Sequence, residues 1–436
     1  MKRFKYIAVL FLAISGSVFT SCNSDDSSVG IDGVDASTRL KEAEKKLQAA
    51  LLSAENGWIV EFFPNNKLLG GYQMWMDFNE NGSVQVRSDR NFDDTSIQND
   101  EYNFVLLSTI ALSFPTGSVV HEFIKDNEMT NHADIEFLID KYEEGKIIFK
   151  GHTSRNTIVF TAATAEEKQF DLSKNKQMFL KFDGPQTTMF KSLIVNDGGN
   201  LQKYALDYNG SSRFGLVSSE DGTPLNKEGG IGFGYTATGL VVSPAINVGG
   251  ELVKFLDYNA GSDEFIGTAS TGTVTVKNLQ MPLFVTDDYR AFLAGKDVAH
   301  LESSLRGVSV NSMLFNKVMM EYFKSVGYGE TGSMLERIDI SFNGNNSAIQ
   351  YSFLKGKAPI LRRVRLSSGA DGRLIFTNVS VNGTLPAELQ VIDDALIQSA
   401  GFFVKREGQT GEYGNPAFSI TSASQIKIKF AVYGFN

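Results

Sequence analysis

The chain has 436 residues and a net charge of −9, with 33 Phe, 14 Tyr and 41 Gly against 9 Pro, a composition that excludes a disordered stalk and suits a strand-rich globular protein. Its acidity argues against nucleic acid as a partner, because phosphates call for clustered Lys and Arg. A single cysteine excludes an internal disulfide framework.

Residues 1–21 follow the grammar of an export signal. Lys2, Arg3 and Lys5 give a positive start, and the 14 residues Tyr6–Phe19 carry no charge. A helix needs about 20 apolar residues to cross a membrane, so a removable signal is expected rather than a spanning anchor. Phe19-Thr20-Ser21-Cys22 resembles a lipobox, with Phe19 in place of the commoner Leu. Cys22 is therefore the expected lipidation site, and acyl chains at about 0.8 kcal/mol per buried CH₂ would hold the mature chain on a membrane. The alternative is an ordinary secretory signal that happens to hold a Cys. Removing 21 of the 436 residues leaves 415 and, with three cations gone, takes the charge from −9 to −12. A chain of that length calls for at least two domains.

Residues 22–36 read as a lipidated tether, followed by a domain over 37–165. Leu40, Ala43, Leu47, Ala50, Leu51 and Ala54 keep the helical period, with Ser37 as N-cap and Gly57 as stop. Strands are expected over 58–63, 72–78, 83–87, 102–107, 110–114, 134–139, 146–151 and 157–161. Asn81-Gly82 and Glu144-Gly145 mark tight turns. The fold class is mainly β (α+β). An amphipathic helix packs on a lipocalin-like antiparallel meander or barrel, followed by a larger Gly-rich β domain with a few helices.

Ser53-Ala54-Glu55-Asn56-Gly57-Trp58, Gly71-Tyr72, Asp77-Phe78-Asn79-Glu80-Asn81-Gly82, Val120-His121-Glu122-Phe123, Asp134-Ile135-Glu136-Phe137 and Lys150-Gly151 carry a resemblance. They are similar to an uncharacterised family of Bacteroidota outer-membrane lipoproteins classed as a domain of unknown function. The likeness covers essentially the whole mature chain and is most specific in 53–161. It implies an outward-facing, lipid-anchored protein of the outer membrane, beside a nutrient transporter and its substrate-binding lipoprotein. Asp25-Asp26, just after the lipid site, resembles the acidic surface-export signal of such lipoproteins. The family transfers no active site.

Glu166-Glu167-Lys168 interrupts the strand pattern, and a β-rich domain over 166–436 is expected beyond it, dividing near 285. Gly230, Gly232 and Gly234 alternate along one strand. Gly232, Gly234 and Ala237 satisfy a relaxed dinucleotide fingerprint, but Thr238-Gly239, Val241-Val242 and Pro244 leave no room for the helix it needs. Close approach of a large neighbour, an aromatic ring, is the expectation instead. Short helices are expected over 286–295 and 297–307. A firmer one spans 311–327, with Leu314, Phe315, Val318, Met319, Tyr322, Phe323 and Val326 on one face, and another lies near 386–401. Ile426, Ile428, Phe430 and Val432 alternate with Lys427 and Lys429 as a closing strand.

Four groups are candidate sites. His132, Asp134 and Glu136 alternate on one strand, but three such residues span roughly 13–14 Å and a solvated face accounts for them. Asp77, Asn79, Asn81 and Gly82 match half a calcium loop, yet the twelfth position is Ser88 and the flanks are strands, so a hairpin turn is expected. Trp75 lies opposite the core face of Tyr72, Met74, Met76 and Phe78, beside Gln73 and Asp77. It could stack on a sugar or peptide, cover the helix, or pack on the second domain. Lys355, Lys357, Arg362, Arg363 and Arg365 form a run without acids; Arg363 and Arg365 would share a strand face open to an anionic partner, or simply be solvated.

No cofactor is implied. G-x-S-x-G, H-E-x-x-H and G-x-x-x-x-G-K-[ST] are absent, and no unlipidated thiol remains. A non-enzymatic ligand-capture or accessory lipoprotein is the first reading. A glycan- or peptide-acting hydrolase with paired carboxylates is the alternative, and a structural adhesin a weaker third.

Overall fold

The computed structural model describes residues 36–435 apart from 126–132, 228, 295–297, 303–311, 327–334, 344–345, 354–357 and 410–415. The export segment, Cys22, His132, Lys355 and Lys357 lie outside the described residues. The fold is mainly β, in three antiparallel sheets that follow one another along the chain.

The first sheet comprises β1 (Trp58–Phe62), β2 (Tyr72–Phe78), β3 (Ser83–Ser88), β4 (Gln98–Glu101), β5 (Asn103–Leu106), β6 (Ile110–Ser113), β7 (Glu136–Glu143), β8 (Lys146–Gly151) and β9 (Thr157–Ala162). Its order is β4-β3-β2-β1-β9-β8-β7-β6-β5. The two outermost strands are halves of one chain segment, joined through Tyr102, so the meander curls into a first barrel that is not closed by hydrogen bonds, its two edges being one bent strand. Alternation puts Val60, Phe62, Tyr72, Met74, Met76, Phe78, Phe149 and Phe160 inside. Helix α1 (Ala36–Leu51) buries Leu47 and Leu51 against them. Trp58 locks the turn out of the helix by donating from Nε1 to the Leu51 carbonyl at 2.7 Å. β4 and helix α2 (Val119–Lys125) are additional to the expected elements. Gln98-Asn99-Asp100-Glu101 is polar throughout and has no apolar period to betray a strand.

Helix α3 (Leu172–Asp183), capped by Asp171, leads to a closed barrel of β10 (Lys191–Asp197), β11 (Asn200–Asn209), β12 (Phe214–Ser218), β13 (Gly230–Tyr235), β14 (Gly239–Val248), β15 (Glu251–Asn259), β16 (Glu264–Thr268) and β17 (Gly272–Asn278). Phe182 of α3 enters its core beside Tyr208, Phe233 and Phe265.

Helix α4 (Tyr289–Leu293) precedes the third barrel. Its strands are β18 (Val298–Glu302), β19 (Leu335–Ser341), β20 (Ser347–Phe353), β21 (Ile360–Ser368), β22 (Leu374–Asn382), β23 (Phe402–Gln409), β24 (Pro416–Ser422) and β25 (Lys429–Phe435), and its ring is closed between β22 and β23 by a single residue pair. Helices α5 (Met313–Val326) and α6 (Ala387–Leu396) supply Phe315, Val318, Met319, Tyr322, Leu389 and Ile392 to its core. The helix expected over 297–307 is corrected. Val298–Glu302 is a strand because it pairs with β19 on one side and β25 on the other, closing the barrel. Likewise, the helix expected over 286–295 is held to Tyr289–Leu293.

Candidate functional sites

Trp75 is on the outer face of the first sheet, as strand alternation requires, in register with Ile59 and Arg87 on its neighbours. That face is covered. Ala163, Phe170 and Leu172, from the connection between the first two sheets, close over the ring and leave it 3% exposed. Its Nε1 donates to the Asn56 carbonyl at 2.9 Å, and Arg87 donates to the Gln169 carbonyl across the same surface. The expectation of an aromatic platform at Trp75 is thereby corrected: the ring has no free face for a ligand.

The same pair of barrels meets at a second place, built from glycines. Gly70 donates its N–H to Ser212 O at 2.7 Å, and Gly71 to Phe233 O at 3.0 Å. A Cβ on Gly232 would lie 2.8 Å from Leu69 O and 3.0 Å from Gly70 Cα, and one on Gly234 3.2 Å from Gly71 O. The backbone of Leu69–Gly71 is the neighbour common to both positions, with the Phe63 ring 3.4 Å from the Gly232 position and Val241 Cγ1 2.8 Å from the Gly234 position; the aromatic ring expected comes closest at Gly230, where it is that of Phe214.

Beside this joint Arg213 reaches into the first barrel. Its Nη1 donates to Gly71 O and Asp89 Oδ1, both at 3.0 Å, and Nη2 to Asp89 O at 2.6 Å. The guanidinium lies 4.2 Å from the ring centroid of Tyr72 and 5.0 Å from that of Tyr235. Burial pushes the Asp89 carboxyl up, against the pull of Arg213. Burial likewise raises Tyr235, whose hydroxyl lies 2.7 Å from that of Tyr208. No motif marks Arg213 or Asp89, since the partners are 124 residues apart.

In the third barrel Arg362 and Arg363 part company. Arg362 turns inward, 6% exposed, and its Nε donates to Asp393 Oδ1 at 2.7 Å while Tyr351 Oη donates to the same oxygen at 2.9 Å. Arg363 and Arg365 point outward from β21 and are exposed.

Asp134 is not on a solvated strand face. It precedes β7, is 6% exposed, and accepts from the N–H groups of Thr153 at 2.7 Å and Ser154 at 2.9 Å. Among the described residues no group of three His, Cys, Asp or Glu could hold a metal. Asp77, Asn79, Asn81 and Gly82 form the β2–β3 hairpin, where Asn81 Oδ1 accepts from Ser83 N.

Two surface depressions are each lined by an ion pair. One, of about 140 Å³, lies at the seam of the first two barrels, where Glu61 and Lys254 pair at 2.5 Å beside Asn156 and Ser243. The other, of about 200 Å³, is lined by Arg87, Ser88, Arg90, Asn91, Gln98 and Glu122, with Arg90 and Glu122 paired at 2.7 Å. Both offer hydrogen-bonding groups to a polar ligand, and both are smaller than the roughly 300–1,000 Å³ of ordinary small-molecule sites.

A family model described as "Domain of unknown function (DUF4302)" matches residues 33–260. That span holds α1, the first barrel and the second as far as β15, so the likeness expected over the whole mature chain narrows to just over half of it. No curated protein matches. Among solved structures, an immune modulator A of Aeromonas veronii is similar at 9% identity, covering 90% of this chain and 100% of that one with a TM-score of 0.19. The β subunit of DNA polymerase III from Thermotoga maritima is similar at 11% identity, with 92% and 98% covered and a TM-score of 0.18.

Proposed function

The chain belongs to the family described as domain of unknown function DUF4302, and we propose that it is a lipid-anchored, outward-facing lipoprotein of a bacterial outer membrane. Its role is that of a non-enzymatic accessory component beside a nutrient transporter and the substrate-binding lipoprotein of that transporter. The observation that carries the anchor is the lone Cys22 behind Thr20-Ser21 and a charge-free stretch too short to span. From Asn23 to Asp35 the tether could reach at most roughly 43–47 Å before α1 begins at Ala36.

The anchor is tested by Cys22→Ala in the native host. Palmitate labelling should vanish and the protein should leave the membrane fraction; unchanged labelling and fractionation would refute lipidation at Cys22. For the accessory role, the wild-type protein is drawn from native membranes in mild detergent, and a transporter should co-purify. Turnover of a glycan or peptide by the purified protein, abolished by one carboxylate substitution, would replace this reading with the hydrolase.

A further inference from the structure

The wall of the third barrel is open along one strand. β22 pairs with β21 over its full length, from Ser368↔Leu374 to Leu361↔Asn382, but meets β23 only at Leu374↔Phe402. From Thr377 to Asn382 every residue is exposed, on both faces of the sheet, with Val379 at 55% and Val381 at 44%. About half of the N–H and C=O groups there must point away from β21. Among the described residues no backbone bond meets them.

Such an edge is unusual. Proteins ordinarily blunt exposed edges with charge, proline or shortness, because unpaired backbone templates another strand. β22 is nine residues long, Leu-Ile-Phe-Thr-Asn-Val-Ser-Val-Asn, with no charge, no proline and a high share of β-branched side chains. Its one irregularity is the bulge at Val379, which opposes no residue of β21.

The outer face beside this edge carries charge of one sign. Arg363 is in register with Ser380, and Arg365 with Thr377, so both guanidinium groups stand one strand in from the edge. Both are exposed, and among the described residues neither makes an ion pair or a hydrogen bond. Elsewhere in this acidic chain, Arg90, Arg213, Arg337, Arg362 and Arg373 all hold carboxylates. A strand added to β22 would lie about 10 Å from β21, two strand spacings away. Carboxylates on its outer face would come within reach of the long arginine side chains.

We propose that the free edge of β22 is a docking site for an extended, acidic segment of a partner protein, which adds a strand to the third barrel. Backbone hydrogen bonds to Phe376–Asn382 supply the affinity, and Arg363 and Arg365 select for carboxylates. The inference stands on the barrel alone and does not depend on lipidation of Cys22.

The test uses the soluble full-length mature chain and fluorescent peptides of about eight residues, alternating Val with Glu or Val with Lys. The Glu peptide should bind at least about tenfold more tightly than the Lys peptide, and it should slow amide exchange across residues 375–382. Arg363→Glu combined with Arg365→Glu, both at exposed positions that leave the core intact, should reverse that preference. N-methylation of alternate peptide amides should abolish binding by the Glu peptide. Equal binding of the two peptides, or none, overturns the proposal. So does arginine-dependent binding without slowed exchange at 375–382, which would be charge attraction without a strand. Concentration-dependent dimerisation abolished by Val381→Lys would make a second copy of the chain the occupant, and would equally overturn it.

Discussion

Arg213 and Asp89 are both buried, and each is tolerable only because of the other. Removing one partner of such a pair costs about 3–5 kcal/mol, because the remaining charge is stranded. Arg213→Ala should therefore lower the urea midpoint strongly, while Arg213→Met with Asp89→Leu should recover much of the loss. A single mutant no worse than the double would show that the pair is not coupled. Lys191 is another buried cation, bonded to Phe182 O at 2.8 Å and Asn278 Oδ1 at 2.7 Å, with Asp183 at 3.8 Å and Lys427 near it. Burial pulls its ammonium down to about 8 from the ordinary 10.5. Between those values the unfolded chain holds a proton that the folded chain has released, so this group makes stability rise with pH from about 8 to 10.5. Lys191→Met should lack that rise, so the difference between the two proteins' unfolding free energies should change by on the order of 3 kcal/mol across the window. A constant difference across the window would refute the assignment. Trp75→Ala should cost about 3–5 kcal/mol of stability, read as a fall in melting temperature. The period of β2 told which face Trp75 takes, and nothing local could tell that Phe170 and Leu172, almost a hundred residues on, would cover it.

Elements with a clean period were legible: the seven residues of β2, the stripe of α1, the hairpin at Asn81-Gly82. β4 and β18 were not, the first because it is polar throughout, the second because only its neighbours make it a strand. Glycine spacing in β13 announced a close approach without naming what approaches. Since the neighbour is main chain held by Gly70–Ser212 and Gly71–Phe233 hydrogen bonds, it cannot swing aside as a side chain could. Gly232→Ala should then force the two barrels apart at a cost of about 1–3 kcal/mol. Gly222→Ala is no control, since Gly222 has φ 85° and would be strained on its own account. The better control is Ser211→Ala, an exposed side chain bonded only within its own turn. Faster proteolysis in 163–171 for Gly232→Ala but not for Ser211→Ala is the expected outcome. Equal rates would mean that the approach contributes little to the joint.

At the scale of the molecule the two joints differ in kind. The first and second barrels share backbone hydrogen bonds, a buried ion pair and the covered face of Trp75. The second and third are joined by Lys427 to Asp183 and Lys429 to Asp207, each at 2.5 Å, and by the edge-on contact of Phe190 with Phe403. Lys427, Lys429 and Asp183 are largely buried there and Asp207 is about half exposed, but among the described residues no backbone–backbone hydrogen bond crosses this joint, so it has fewer main-chain contacts to lose. Lys427→Met with Lys429→Met should consequently let the third barrel melt as a separate calorimetric transition, with new proteolytic cuts in 279–288. The first two barrels should keep melting together in that variant. Arg213→Ala should do the opposite, opening 163–171 while the third barrel stays on the second. If both variants instead lower one undivided transition, the three barrels fold as a single cooperative unit and neither joint is separable. The distinction matters for the open edge of β22, which lies on the barrel held by the weaker joint. A strand added there stabilises the third barrel by mass action. In the lysine variant the acidic peptide should therefore raise the third barrel's transition alone, and a shift of the first two barrels with it would show that the joints still transmit binding.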